Sequence, residues 1–116
     1  MKPGHLELFV SDPVSAKDFY TDVLEFEVVA VQSEQFVWLK SGDLEILLRP
    51  GTPARNAPDY QHTTHGLVLY TENLEQKRDE LLERGLVFKG TDGSDICLTF
   101  TDPDGNWFQL VNPNHT

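Results

Sequence analysis

The sequence predicts an α+β fold built from two copies of a β-α-β-β-β module, and three observations support this. The stretch HLELFVSDPVSAK (5–17) aligns with HGLVLYTENLEQK (65–77) at an offset of 60 residues. The stretch GDLEILLRP (42–50) aligns with GNWFQLVNP (105–113) at an offset of 63. In each copy an apolar run is followed by a helical pattern and then by short strand patterns. Paired modules of this kind are expected to form one curved, mostly antiparallel sheet of eight strands, with helices outside and a cup inside.

Length and charge restrict the class of protein. The 116 residues fit a single domain (1–116), with module one at 1–50, a linker at 51–63 and module two at 64–113. The formal net charge of −10 argues against a nucleic-acid partner, which needs a basic surface. No apolar run is long enough to cross a bilayer, and one cysteine excludes an internal disulfide. We expect a cytoplasmic protein that does not bind membranes.

The first module follows this order residue by residue. The run HLELFVS is rich in residues that favour strands. A helix is predicted to begin at Asp12-Pro13, because aspartate is a good N-cap and proline suits the first helical position. Three strands are expected near 26–31, 35–40 and 44–49, with SGD (41–43) as a turn.

The second module repeats the pattern. The run HGLVLYT predicts the first strand, and a helix is expected over about 73–84 with Gly85 as its C-terminal cap. Strands are expected near 86–89, 96–101 and 107–111, and DPDG (102–105) has turn chemistry.

This order, together with HLELFVSDPVSAKDFYTDVLEFEVV and FTDPDGNWFQLVNP, resembles the vicinal oxygen chelate superfamily, which has the glyoxalase/bleomycin resistance/dioxygenase fold. Its members include glyoxalase I, fosfomycin-resistance enzymes, methylmalonyl-CoA epimerases, extradiol dioxygenases and bleomycin-resistance binding proteins. Since these proteins carry out several reactions, or only bind a ligand, the resemblance does not specify one reaction.

The resemblance implies metal ligands on the first and last strands of each copy. Those positions match His5, Ile46, His65 and Gln109, and the internal repeat also pairs position 46 with 109. His5, His65 and Gln109 are therefore the predicted ligands of a divalent metal ion (Zn, Ni, Mn or Fe), and they are expected to converge in the cup. Ile46 cannot bind a metal, so a complete 2-His-1-carboxylate triad is not expected.

The resemblance also implies that a last-strand carboxylate transfers protons, which the amide of Gln109 cannot do. Glu7 alternates with His5 and is expected on the same face, so it is the predicted catalytic base. Glu45 is expected to point away from the cup, unless the register is shifted by one residue.

Alternation also predicts the lining of the cup. Such a lining suits a small, partly aromatic organic ligand, and an inward-pointing arginine would complement a carboxylate or phosphate. For the tryptophans, simple packing is an equal alternative. The predicted substrate-binding residues are Phe9, Trp38, Ile46, Leu48, Arg49 and Trp107.

Two classes of function follow. The first is a metal-dependent lyase, isomerase or dioxygenase acting on a small oxygenated molecule. The alternative is a metal-free protein that binds or sequesters a small molecule, as bleomycin-resistance proteins do. A homodimer is also expected, because an open sheet leaves edge strands that invite pairing and the linker is long enough for exchange between chains.

Overall fold

The computed structural model of the protein describes residues 1–52 and 56–114. The chain divides into two compact units, Met1–Ala54 and Arg55–Thr116. Residues 53–55 of the predicted linker lie outside the described residues. Among the helices of the described ranges, none is both long and apolar enough to cross a membrane.

The first unit contains a four-stranded sheet and one helix, as predicted. The sheet order is β1-β4-β3-β2, with β1 parallel to β4 and the other neighbours antiparallel. Its elements are β1 (Leu6–Val10), α1 (Pro13–Asp18), which continues as a π-helical turn (Phe19–Val23), β2 (Glu27–Gln32), β3 (Phe36–Ser41) and β4 (Leu44–Pro50).

The second unit contains a three-stranded sheet in the order β5-β7-β6, with β5 parallel to β7 and β6 antiparallel to it. A short 3₁₀ turn at Tyr60–His62 precedes the sheet. The other elements are β5 (Leu67–Tyr70), α2 (Leu74–Glu83), β6 (Cys97–Thr101) and β7 (Trp107–Val111). The α+β class and the paired modules are therefore confirmed, within two hydrogen-bonded sheets.

Both helices begin at side-chain caps. Asp12 accepts hydrogen bonds from the backbone N–H groups of Val14 and Ser15, and Asn73 accepts one from Gln76 N–H. Each cap satisfies donors that a helix start leaves without partners. Gly85 follows α2 with a φ of +92°, which suits the predicted glycine cap.

Eight strands were expected, but the described residues contain seven, because the segment predicted as a strand near 86–89 does not form one. The segment still follows β6, because Lys89 N–H donates to Thr99 C=O at 2.7 Å and Thr99 N–H donates to Gly90 C=O at 3.2 Å. Gly90 and Gly93 have φ values of +81° and +80°. These left-handed residues turn the backbone out of the regular ladder, so the pairing is irregular.

The core of the first unit lies on one face of its sheet, here called the apolar face. Six side chains of β1, β3 and β4 on this face are at most 3% exposed, and α1 packs against β3 and β4. The register places them together: Leu8, Val10, Val37, Leu39, Ile46 and Leu48. The opposite face, called the polar face, carries Glu7, Trp38, Leu47 and Arg49.

The sheet of the second unit has the same two kinds of face. On its apolar face, the rings of Phe100 and Phe108 stack at 5.2 Å, and Phe88 meets Phe100 edge-on at 5.9 Å. On its polar face, Thr99 and Gln109 are direct partners in the β6–β7 register. The candidate site residues Glu7 and Gln109 therefore lie on the faces opposite the buried core of each unit.

The β2–β3 turn contains a position that glycine should improve. Ser33 and Glu34 have φ values of +53° and +56°, and Gln35 N–H donates to Gln32 C=O at 3.1 Å. Two successive positive φ values are typical of a type I′ turn, in which glycine removes the steric cost of a side chain. We expect Glu34→Gly to raise the free energy of unfolding by about 1 kcal/mol, measured by urea denaturation. Glu34→Ala is the control, since alanine retains the Cβ; an equal gain for both variants would contradict the explanation.

Candidate functional site

Three polar side chains form a chain of contacts on the polar face of the first unit. His5 lies one residue before β1, Glu7 lies within β1, and Arg49 lies on the adjacent strand β4. Glu7 Oε2 is 2.8 Å from His5 Nε2, and Arg49 Nη1 donates to Glu7 Oε1 at 2.9 Å. Both carboxylate oxygens of Glu7 are therefore engaged.

The pKa of Glu7 is lowered from its ordinary value. The main cause is the hydrogen bond with His5, followed by the hydrogen bond with Arg49, which together outweigh the opposing effect of desolvation. Glu7 is therefore ionised at neutral pH and accepts hydrogen bonds. It is a weaker base than the sequence prediction required, since its partners stabilise the form without a proton.

This lowered pKa predicts a pH dependence of stability. The unfolded chain takes up a proton on Glu7 at a higher pH than the folded chain does. The contribution of Glu7 is therefore complete above the unfolded pKa and is lost as the pH falls through the folded pKa. We expect Glu7→Gln to be less stable than the parent at pH 7, with the difference closing as the pH falls below the ordinary glutamate pKa of 4.5. Urea denaturation at several pH values measures this, and a difference that stays constant with pH would contradict it.

Aromatic rings surround the polar contacts. The Arg49 guanidinium carbon lies 5.3 Å from the centre of the Phe9 ring and 5.9 Å from that of Phe36, within cation–π range. The ring of Trp38 meets that of His5 edge-on at 4.7 Å, and Trp38 Nε1–H donates to Gln32 Oε1 at 3.2 Å. The first unit thus presents one ion pair and one imidazole within a frame of three larger rings.

A second cluster lies on the polar face of the second unit around Gln109, which is 8% exposed. Gln109 Nε2 donates to Asp92 Oδ2 at 3.1 Å. The other carboxylate oxygen, Asp92 Oδ1, accepts from Gln61 Nε2 at 3.2 Å. The Gln109 amide is therefore oriented by a carboxylate, with its nitrogen used as a donor.

Tyr60 lies beside this cluster, in the 3₁₀ turn that precedes β5. A Cβ atom built on Gly66 would lie 2.5 Å from Tyr60 Oη and 2.6 Å from Cε1. The Tyr60 ring also meets the Trp107 ring edge-on at 6.3 Å, and Trp107 Nε1–H donates to Ala57 C=O at 3.2 Å. Tyr60 therefore fills the space that a side chain at position 66 would occupy.

The two units correspond at offsets that differ from the predicted ones. The helix caps Asp12 and Asn73 are 61 residues apart, as are the first residues of β1 and β5. On that basis His5 corresponds to Gly66, so the predicted equivalence of His5 with His65 is wrong by one residue. His65 is exposed, and its Nδ1 lies 3.1 Å from Thr64 Oγ1.

The last strands are also shifted by one residue. Leu6 pairs with Ile46, and the corresponding Leu67 pairs with Phe108. Ile46 therefore corresponds to Phe108, and Leu47 corresponds to Gln109. The predicted equivalence of Ile46 with Gln109 is wrong, because one residue along a strand reverses the face.

The same shift corrects two predicted substrate-binding residues. Ile46 and Leu48 are both 0% exposed and lie in the core on the apolar face. The register also places Glu45 on the polar face with Glu7. This is the result that was expected if the register were shifted by one residue. The other candidates lie on polar faces: Phe9, Trp38 and Arg49 in the first unit and Trp107 in the second.

Sequence reasoning missed four residues that shape these clusters: Gln32, Tyr60, Gln61 and Asp92. Gln32 alternates with Ala30 on β2, which could have placed it beside Trp38. Tyr60, Gln61 and Asp92 lie outside the strands, where no periodicity reports the direction of a side chain.

Comparison with known proteins identifies the class to which this fold belongs. The model of the Glyoxalase/Bleomycin resistance protein/Dioxygenase superfamily matches residues 2–110, and the chain belongs to that superfamily. The resemblance inferred from the sequence is confirmed.

Solved structures show the same fold in proteins with different activities. TnmS3, an antibiotic binding protein from Streptomyces sp. CB03234, is 25% identical, with a TM-score of 0.70 over 98% of this chain and 99% of that one. Lactoylglutathione lyase from Agrobacterium tumefaciens is 18% identical, with a TM-score of 0.72 over 97% and 93%. A FosX mutant from Listeria monocytogenes, complexed with Mn(II) and a dihydroxypropylphosphonic acid, is 17% identical, with a TM-score of 0.73 over 97% and 90%.

Only two of the four strand positions that correspond between the units carry a side chain with a metal-ligand atom. By the strand register, His5 corresponds to Gly66, and Leu47 corresponds to Gln109. Leu47 and Gly66 have no side-chain atom that could bind a metal ion. At Gly66 the Tyr60 ring takes the space of any side chain. Among the His, Cys, Asp and Glu side chains of the described residues, no group of three could hold a metal ion.

The surroundings of the remaining donors also oppose a cation. His5 Nε2 is engaged by Glu7, which also pairs with the permanently charged Arg49. A divalent ion beside Arg49 would meet electrostatic repulsion. The convergence of His5, His65 and Gln109 on one metal ion stays a prediction.

Proposed function

We propose that this protein binds a small, partly aromatic organic molecule without a resident metal ion. The observation that carries the proposal is the contact chain His5–Glu7–Arg49 within a frame of aromatic rings. Binding sites for small molecules typically combine apolar and aromatic walls with a few fixed polar groups. The positive charge of Arg49 is compensated by Glu7 at 2.9 Å.

The second unit supports the same proposal. Tyr60 and Trp107 supply ring surface, while Asp92 fixes the amide of Gln109. These groups can contact rings and polar atoms of a ligand. TnmS3, an antibiotic binding protein with a similar structure, supports a binding role.

The test is ligand binding by protein freed of metal by chelation. We expect anilinonaphthalene sulfonate, an aromatic fluorophore, to bind and to be displaced by smaller aromatic molecules. Trp38→Ala should weaken binding about tenfold, because it removes a large wall of the site. Val87→Ala is the matched control, since Val87 is an exposed apolar residue of the second unit. Equal binding by all three proteins would contradict the proposal.

A metal-dependent lyase, isomerase or dioxygenase is the second candidate function. It is favoured by His5 and Gln109, which lie on polar faces at strand positions where the superfamily resemblance implies metal ligands. Glu7 would then be the base, as the sequence predicts. Metal analysis of untagged protein distinguishes the two candidates: a stoichiometric divalent ion that is lost in His5→Ala would favour the enzyme.

We also propose a homodimer. The edge strand β2 exposes Val28, Val29 and Val31, with 59% of Val29 accessible. Exposed apolar edges favour pairing with a second chain. Light scattering should give twice the 13.2 kDa chain mass, and Val29→Lys should shift the equilibrium toward monomer. A monomer at high protein concentration would contradict the proposal.

A further inference from the structure

We infer that the His5 imidazole is a fixed hydrogen-bond acceptor, which selects ligands carrying an O–H or N–H donor beside a planar ring. This rests on the proposed binding function and adds the chemical class of the ligand: neutral phenols and comparable aromatic donors.

The contacts of Glu7 set the tautomer of His5. An ionised carboxylate can only accept hydrogen bonds, so His5 Nε2, at 2.8 Å from Glu7 Oε2, must carry the proton. In a neutral imidazole the other nitrogen, Nδ1, then has the free lone pair. In the part of the chain that the structure describes, Nδ1 of His5 has no hydrogen-bond partner. The side chain is 31% exposed, so a ligand can reach it.

The position of the imidazole is fixed as well as its tautomer. Trp38 packs edge-on against the ring at 4.7 Å, and its own indole N–H is held by Gln32. The lone pair therefore lies beside a rigid aromatic wall. A planar ligand that contacts Trp38 can place a ring substituent next to Nδ1.

The charge of the cluster favours neutral donors over anions. The positive charge of Arg49 is already compensated by Glu7 at 2.9 Å. A carboxylate ligand would have to compete with Glu7 for the guanidinium and would also face the lone pair of Nδ1. A phenol O–H avoids both costs, because it supplies the proton that the lone pair lacks.

The experiment compares β-naphthol with its methyl ether, which keeps the ring system but has no donor. Calorimetric titration at pH 7 should show β-naphthol binding about tenfold more tightly than the ether. In His5→Phe the preference should disappear while the ether still binds. In Glu7→Gln the preference should also fall, because a neutral amide can donate to Nε2 and so release the tautomer. Circular dichroism of both variants checks that they fold.

The outcomes separate this inference from the proposed function. If neither compound binds the parent protein, aromatic binding itself is wrong. If both bind with equal affinity, the proposed function stands and the acceptor role of His5 is overturned. A preference for β-naphthol that survives in His5→Phe also overturns it.

Discussion

Ile46→Glu is expected to prevent folding, although the superfamily resemblance matched position 46 with a metal-ligand position. Ile46 is 0% exposed on the apolar face, between Leu6 and Leu39 in the strand register. A carboxylate there would be buried without a partner, at a cost of several kcal/mol, comparable with the whole stability of a small domain. Soluble expression and circular dichroism measure the result.

Leu47→Glu is the matched control, one residue along the same strand. Leu47 lies on the polar face, opposite Glu7 and Trp38 in register. Leu47 is 6% exposed, but a carboxylate at this position shares its face with the Arg49 guanidinium, so the variant should lose less stability than Ile46→Glu. If Ile46→Glu folded and Leu47→Glu did not, the register of β4 described above would be wrong.

Asp102→Ala should lower the free energy of unfolding by about 3 kcal/mol, because a buried charged acceptor is lost. Asp102 is 2% exposed and precedes the turn before β7. Its carboxylate accepts from the backbone N–H groups of Asp104 and Asn106 at 2.9 and 2.8 Å and from Asn106 Nδ2 at 2.9 Å. Alanine would leave these donors without their acceptor.

Asp102→Asn provides the graded comparison. Its amide oxygen can still accept the two backbone N–H groups, while its NH₂ group would face the donor of Asn106. A loss of about 1 kcal/mol, between parent and alanine variant, is expected. Urea denaturation of all three proteins gives the values. Equal losses for both variants would show that charge, rather than the backbone contacts, determines the effect.

Local signals predicted most of the fold. Asp12 before Pro13, the asparagine at 73 and Gly85 after α2 lie where helix capping requires them. The predicted strand 107–111 has the bounds of β7, and the strands predicted in the first unit differ from β1–β4 by at most one residue at each end. Capping and alternation are properties of adjacent residues, which a sequence records directly. The irregular segment after Gly85 was missed because the positive φ values of Gly90 and Gly93 disturb its pairing with β6, and alternation of residue types does not show this.

The candidate site was predicted less well, for a reason visible in one alignment. Matching His5 with His65 also matched Asp12 with Glu72, although the residue that caps α2 is Asn73. Aspartate and asparagine are good N-caps and glutamate is not, so the caps contain the signal for the correct offset. Tyr60 could not be placed in this way, because its position over Gly66 depends on an irregular turn. Alternation predicted that Glu7 shares a face with His5, and in the structure these two side chains are in contact.

Each unit contains one of the two tryptophans of the chain, Trp38 in the first and Trp107 in the second. Their environments differ: Trp38 is partly accessible, whereas Trp107 is 4% exposed and lies beside Tyr60. Trp107 should therefore emit at shorter wavelength and resist quenching by iodide, while Trp38 should be quenched. In Trp38→Phe the remaining emission comes from the second unit alone, and in Trp107→Phe it comes from the first. Intrinsic fluorescence of this pair can thus report whether the two units unfold in one transition or in two.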